Sequence, residues 1–186
     1  MIGAVLLVGA AAPASVAETH TDKDPRGDVI RGFFGEDSHP TNAANGDIVH
    51  TRLTYTEERF VAVIRFRELT KKAKLMWIGI GLHFRQGPDH VYGEIEVVLR
   101  HKGPQQPRAR YSEVSGDASC SVESHISYVH DRIRFAMPAS CLADTPWVHA
   151  FAAAMRTDNL DDPSYFISDR SPDSARGGYG PRVDRG

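Results

Sequence analysis

Apolar and polar positions alternate with a period of two along most of this chain. In "VYGEIEVVLR", Val91, Gly93, Ile95, Val97 and Leu99 fall on one side, and Tyr92, Glu94, Glu96 and Arg100 on the other. That is the pattern of a strand buried on one face. "WIGIGLHFR" repeats it, with Ile78, Ile80, Leu82 and Phe84 against Trp77, Gly79, Gly81, His83 and Arg85. Its two glycines leave the second face flat, open to a backbone, a ring or a ligand. "GPD" at 87–89 predicts a turn between these two runs. "GDIVHTRLTYTEERFVAVIRFREL" predicts a hairpin. One strand covers Ile48–Tyr55, residues 56–59 turn, and Phe60, Ala62, Ile64 and Phe66 point inward on the return. "RIRFAMP" places Ile133, Phe135 and Met137 on one face and stops at Pro138. "WVHAFAAAMR" is ambiguous: its alanines favour helix, whereas Pro146 and the alternation of Trp147, Phe151 and Met155 favour strand, the reading adopted. A short helical turn is expected near 138–143. Short strands separated by Gly, Pro, Asn and Asp predict an all-β fold, an antiparallel β-sandwich of jelly-roll or related topology.

The first 17 residues break this pattern. "MIGAVLLVGAAAPASVA" carries no charged side chain, has an apolar run from Ile2 to Val8 and ends in the small residues Ser15, Val16 and Ala17. It reads as a signal peptide cleaved after Ala17. An uncleaved anchor is the alternative, although the run is short for a bilayer. Residues 18–169 form the expected domain, and 170–186 a polar, partly mobile tail. Export places the chain in an oxidising compartment, where its two cysteines, Cys120 and Cys141, most simply form one disulfide; two buried thiols are the alternative. The formal net charge is -2, so there is no overall electrostatic footprint for nucleic acid or an anionic membrane.

Chemistry enters at a few positions. "GDV" (27–29) and "GDI" (46–48) each set an aspartate just before a strand. If the two strand starts are neighbours, Asp24, Asp28 and Asp47 converge on one Ca²⁺, a cation that takes six to eight oxygens. The competing reading is that each carboxylate caps its own turn. For a sugar, the requirement is a flat aromatic platform beside carboxylates and amides. Trp77, His83, Tyr92 and Trp147 are the candidate ligand-binding residues, with Glu94, Glu96 and Arg100 on the face of Tyr92. A solvated outer sheet face would give the same sequence. The chain contains no HxH, HExxH or GxSxG motif and no phosphate loop, so no catalytic residue is assigned.

"DPRGDV", "GDIVHTRLTYTEERFVAVIRF", "RFAMPASCL" and the closing "GPRVDRG" together resemble a group of small exported actinobacterial proteins of unknown function. Their order of elements is similar to the sandwich of DOMON-like domains and family nine carbohydrate-binding modules. The resemblance implies a fold and an extracellular or cell-envelope location, and it supplies no catalytic residue. The expected function is therefore a secreted, non-catalytic module for a glycan or other small ligand, with a structural calcium. The alternatives are an envelope protein-interaction module and a hydrolase built from loops. No nucleic acid partner is expected, and no membrane span once the signal is removed.

Overall fold

The computed structural model describes residues 17–31, 39–113, 120–159, 166–172 and 179–186; the expected signal peptide, through residue 16, lies outside them. The strands are β1 (Glu18–Lys23), β2 (Ile30–Arg31), β3 (His39–Pro40), β4 (Ile48–Tyr55), β5 (Arg59–Phe66), β6 (Leu75–Gln86), β7 (Asp89–Arg100), β8 (Arg110–Glu113), β9 (Glu123–Ser127), β10 (Arg132–Pro138), β11 (Trp147–Thr157), β12 (Phe166–Ser171) and β13 (Arg182–Asp184). One 3-10 turn, Ala139–Leu142, follows β10. The smaller sheet has the order β1-β4-β5-β10-β9, and the larger β3-β2-β12-β11-β6-β7-β8, with β13 alongside β11. The strand pairs are antiparallel. The two sheets pack as a sandwich, as the alternation predicts. Among the described residues no helix is long and apolar enough to cross a membrane.

Local chemistry sets the two main hairpins. Between β4 and β5 the Thr56 hydroxyl accepts the N–H groups of Glu58 and Arg59 at 3.2 and 2.9 Å, and the Thr56 N–H donates to the Arg59 carbonyl. Between β6 and β7 the pairing of Gln86 with Asp89 leaves only Gly87 and Pro88 in the turn. Gly87 takes φ +62°, as the first position of such a two-residue connection requires.

The inward sides of the strands meet in one core. Its largest fully buried side chains include Tyr55, Phe60, Phe84 and Phe135. The Tyr55 hydroxyl donates to the Thr145 carbonyl at 3.0 Å, so its polar end is satisfied. The ambiguous "WVHAFAAAMR" is a strand. Its alanines 150, 152 and 154 face the core, and Trp147, Phe151 and Met155 lie on the other side. Cys120 and Cys141 are joined with Cα atoms 5.9 Å apart, clasping the β9–β10 hairpin. A loop of that size is worth about 3 kcal/mol in the chain-entropy model.

The polar C-terminal segment does not simply trail away. β12 extends through Ser171, and β13 pairs with β11, Val148 opposite Val183. Val183 is fully buried, and the Gly186 N–H donates to the Tyr55 carbonyl at 3.3 Å. One apolar side chain and several backbone hydrogen bonds hold residues 182–186 to the domain.

Candidate functional site

An acidic pocket sits where one margin of the smaller sheet meets the larger. Asp24 follows β1, Asp28 precedes β2, Asp47 precedes β4, and Asp169 lies on β12. Asp24, Asp28 and Asp169 each bring a carboxylate oxygen within 4.8 Å of the others. Asp28 and Asp47 stand ahead of strands in opposite sheets, yet their segments touch: the Asp47 Oδ2 accepts the Gly27 N–H at 2.9 Å. Gly27 makes this approach at φ +79°, a conformation natural to glycine. Asp47 is fully buried. Its Oδ2 also meets the Arg67 guanidinium at 3.6 Å, while its Oδ1 has no hydrogen-bond partner.

Asp169 spans the two sheets. Its Oδ2 accepts the Ile48 N–H of β4 at 2.5 Å, and its Oδ1 the N–H of Arg170 at 2.8 Å. Burial and the carboxylates of Asp28 and Asp47 nevertheless push its pKa up to about 7, against the pull of those two backbone donors. A buried carboxylate made this acid-weak is short of positive charge. Beside it Thr51, Ser171 and Asp22 form a second polar link between the sheets, at 3.2 and 3.0 Å.

Of the three aspartates expected to share a cation, Asp24 and Asp28 stand together, and Asp47 adjoins them through the Gly27 turn and its effect on Asp169. Asp169 was not foreseen. In the sequence it is one acid in a polar stretch, and only the pairing of β12 with β11 and β2 brings it against β4. The Arg67 guanidinium brings a positive charge to one side of this pocket, against Asp47.

A second cluster lies on the outer face of the larger sheet. One rung carries Tyr92 on β7, His83 on β6, His149 on β11 and Arg182 on β13. Tyr179 packs over this rung, its ring centroid 4.2 Å from that of His83; the Tyr92 ring is 4.9 Å from His83. The two tyrosine hydroxyls are 2.8 Å apart. Trp147 reaches the cluster edge-on to His149 at 5.2 Å, with the Arg182 guanidinium 5.3 Å from its ring. His83 Nε2 and His90 Nδ1 share a hydrogen bond at 2.8 Å. His83 is only 7% exposed; burial, then the neighbouring His90 and His149, lower its pKa.

His83, Tyr92 and Trp147 therefore assemble as candidate residues, but Trp77 does not join them. It sits six residues back along β6, roughly 20 Å at strand spacing, stacked on Phe166 at 6.0 Å. The flat glycine face between is filled. A Cβ on Gly81 would lie 2.3 Å from the Phe151 ring, and one on Gly79 2.9 Å from Glu94 Oε1. Sequence reading missed His90, His149 and Tyr179. The two histidines become neighbours of His83 through cross-strand register, and Tyr179 arrives on the C-terminal segment.

The two clusters suit different chemistry. The acidic pocket offers hard oxygen donors for a divalent cation. The outer cluster presents tyrosine rings and hydroxyls that suit contact with a sugar face and its hydroxyl groups. Comparison with family models, curated proteins and solved structures finds no match for this chain.

Proposed function

We propose that this chain is an exported, non-catalytic binding module, a β-sandwich held together by calcium in its acidic pocket. The carrying observation is the convergence of Asp24, Asp28 and Asp169 beside the fully buried Asp47. Three carboxylates from the two ends of the chain meet at a seam between two sheets with Asp47 beside them, and a cation there joins Asp24, Asp28 and Asp169. Oxygens from main chain or water complete its shell, as is usual for Ca²⁺.

The ligand face is the tyrosine–histidine cluster. Tyr92 and Tyr179 are 38% and 40% exposed, two of three large apolar side chains left open to solvent among the described residues. Side by side on a buried imidazole, they make a small flat platform suited to a saccharide of an envelope or matrix. Calcium titration calorimetry with a glycan array tests both parts. One calcium per chain is expected, together with saccharide binding that Tyr92→Ala and Tyr179→Ala each weaken. Absence of both calcium heat and array signal would refute the reading.

A further inference from the structure

A cavity of the larger sheet lies away from both clusters. It is a groove of about 610 Å³ between the C-terminal half of β7 and the connection to β8, lined by Glu96, Val98, Arg100, Pro104, Pro107, Arg108, Ala109 and Arg110. Glu96, Val98 and Arg100 are alternate residues of one strand and share its outer face. Glu96 is about 13 Å along β7 from Tyr92 at strand spacing.

Two properties mark this groove as a built site. The first is charge. Arg100, Arg108 and Arg110 face a single carboxylate, Glu96, on a chain whose net charge is -2. None of the three arginines takes part in the ion pairs found among the described residues, and all three are exposed. The second is rigidity. The loop that walls the groove is tied to both sheets. Gln106 pairs with the Ile126 backbone like a strand residue, donating from Nε2 to its carbonyl at 2.7 Å and accepting its N–H at 2.9 Å. The Ser124 hydroxyl donates to the Pro107 carbonyl at 3.3 Å. Lys71 donates to the carbonyls of Gly103 and Pro104, and His101 Nδ1 bonds the Lys71 carbonyl at 2.7 Å. A wall fixed in advance spares a ligand the entropy of ordering it.

From the convergence of Arg100, Arg108 and Arg110 on this fixed groove we infer a binding site for a small polyanion carrying two or more carboxylate, sulfate or phosphate groups. Planar guanidinium forks match such oxyanions in pairs. Val98, Ala109 and the two prolines supply the apolar floor and wall that a compact ligand body needs. Glu96 disfavours a further negative charge at its end and accepts a hydroxyl or amine there. The site stands apart from the calcium pocket and the tyrosine platform and does not depend on either.

The test is titration calorimetry of the intact chain at about 50 mM salt, where charge contacts are least screened. The probes are a sulfated disaccharide, a uronate disaccharide and inorganic pyrophosphate, with a neutral disaccharide as control. At least one oxyanion is expected to bind one per chain, and the neutral sugar not to bind in the groove. The saccharides and pyrophosphate together separate a glycan source from a phosphate source. Arg108→Ala alone is expected to weaken binding about tenfold or more. The triple variant Arg100→Ala/Arg108→Ala/Arg110→Ala is expected to abolish it. A charge-matched control, Arg52→Ala/Arg65→Ala/Arg132→Ala on the smaller sheet, is expected to stay within about twofold of the parent. No oxyanion binding by the parent chain, or an equal loss in the charge-matched control, would overturn the inference.

Discussion

The most informative single residues are those whose surroundings oppose their ordinary charge. Burial, then His90 and His149, lower the pKa of His83. Burial, then Arg65, Lys23 and Arg52, lower the pKa of His50, with Asp22 opposing. Each folded-state pKa lies below the ordinary 6.5, so these groups support the fold above that pH. That support is lost as pH falls through the folded values, because the unfolded chain gains protons the folded chain refuses. Asp169 acts oppositely: raised to about 7, it costs stability as pH climbs towards that value from the ordinary carboxylate range. A comparison isolates the histidine. Relative to the His83→Gln variant, the parent chain should lose additional stability as pH drops below about 6.5, measured as urea midpoints. Parallel curves for the two proteins would show that the fold does not lower the His83 pKa. At this scale the sequence was only partly legible. His83 and Tyr92 could be placed on one face from alternation alone. His149 and Tyr179 could not, because cross-strand neighbours depend on register.

Elements explain why the outer face of the larger sheet looks as it does. Alternation alone fixed β4 to β7 and β10, since each turns an apolar side to the core. β11 was harder: three core-facing alanines mimic helical composition, and only placement beside β6 and β12 gives them their task. The Gly81 position on β6 and Phe151 on β11 form a matched pair, with the ring occupying the space a side chain would need. The Arg170 guanidinium closes over the same ring at 4.0 Å. Gly81→Ala is therefore expected to cost about 1–3 kcal/mol by overpacking. Phe151→Ala should cost less in the Gly81→Ala background than in the parent, because removing the ring there also relieves the clash that the added Cβ creates. Additive costs in a double-mutant cycle of thermal stabilities would mean that the two positions do not meet.

At the scale of the molecule, both ends of the domain are woven in. β1 forms a margin of the smaller sheet, and the Asp184 N–H donates to the carboxylate of Glu18. Arg185 reaches Asp144 at 3.0 Å and the Glu57 carbonyl at 2.7 Å, so the C-terminal residues close one end of the sandwich across both sheets. Val183→Asp should accordingly destabilise by more than about 3 kcal/mol, because it buries an unpaired charge. A melting temperature equal to that of the parent would place β13 outside the cooperative fold. The polar composition of 170–186 gave no hint of this closure; one buried valine and several main-chain hydrogen bonds carry it.

The acidic pocket works at the same scale, since Asp24, Asp28, Asp47 and Asp169 join segments from the beginning, middle and end of the chain. If a cation staples them, its removal loosens the whole sandwich. Thermal melts of the parent and Asp28→Asn, each in excess chelator and in about 10 mM calcium, test this directly. For an affinity of about 10⁻⁴ M, such as extracellular modules reach, calcium should raise the parent's melting temperature by about 5–10 °C. Asp28→Asn should melt no lower than the parent in chelator, since one repelling charge is gone, and should lose most of the calcium response. Equal melting temperatures for the parent with and without calcium would contradict a calcium-held fold.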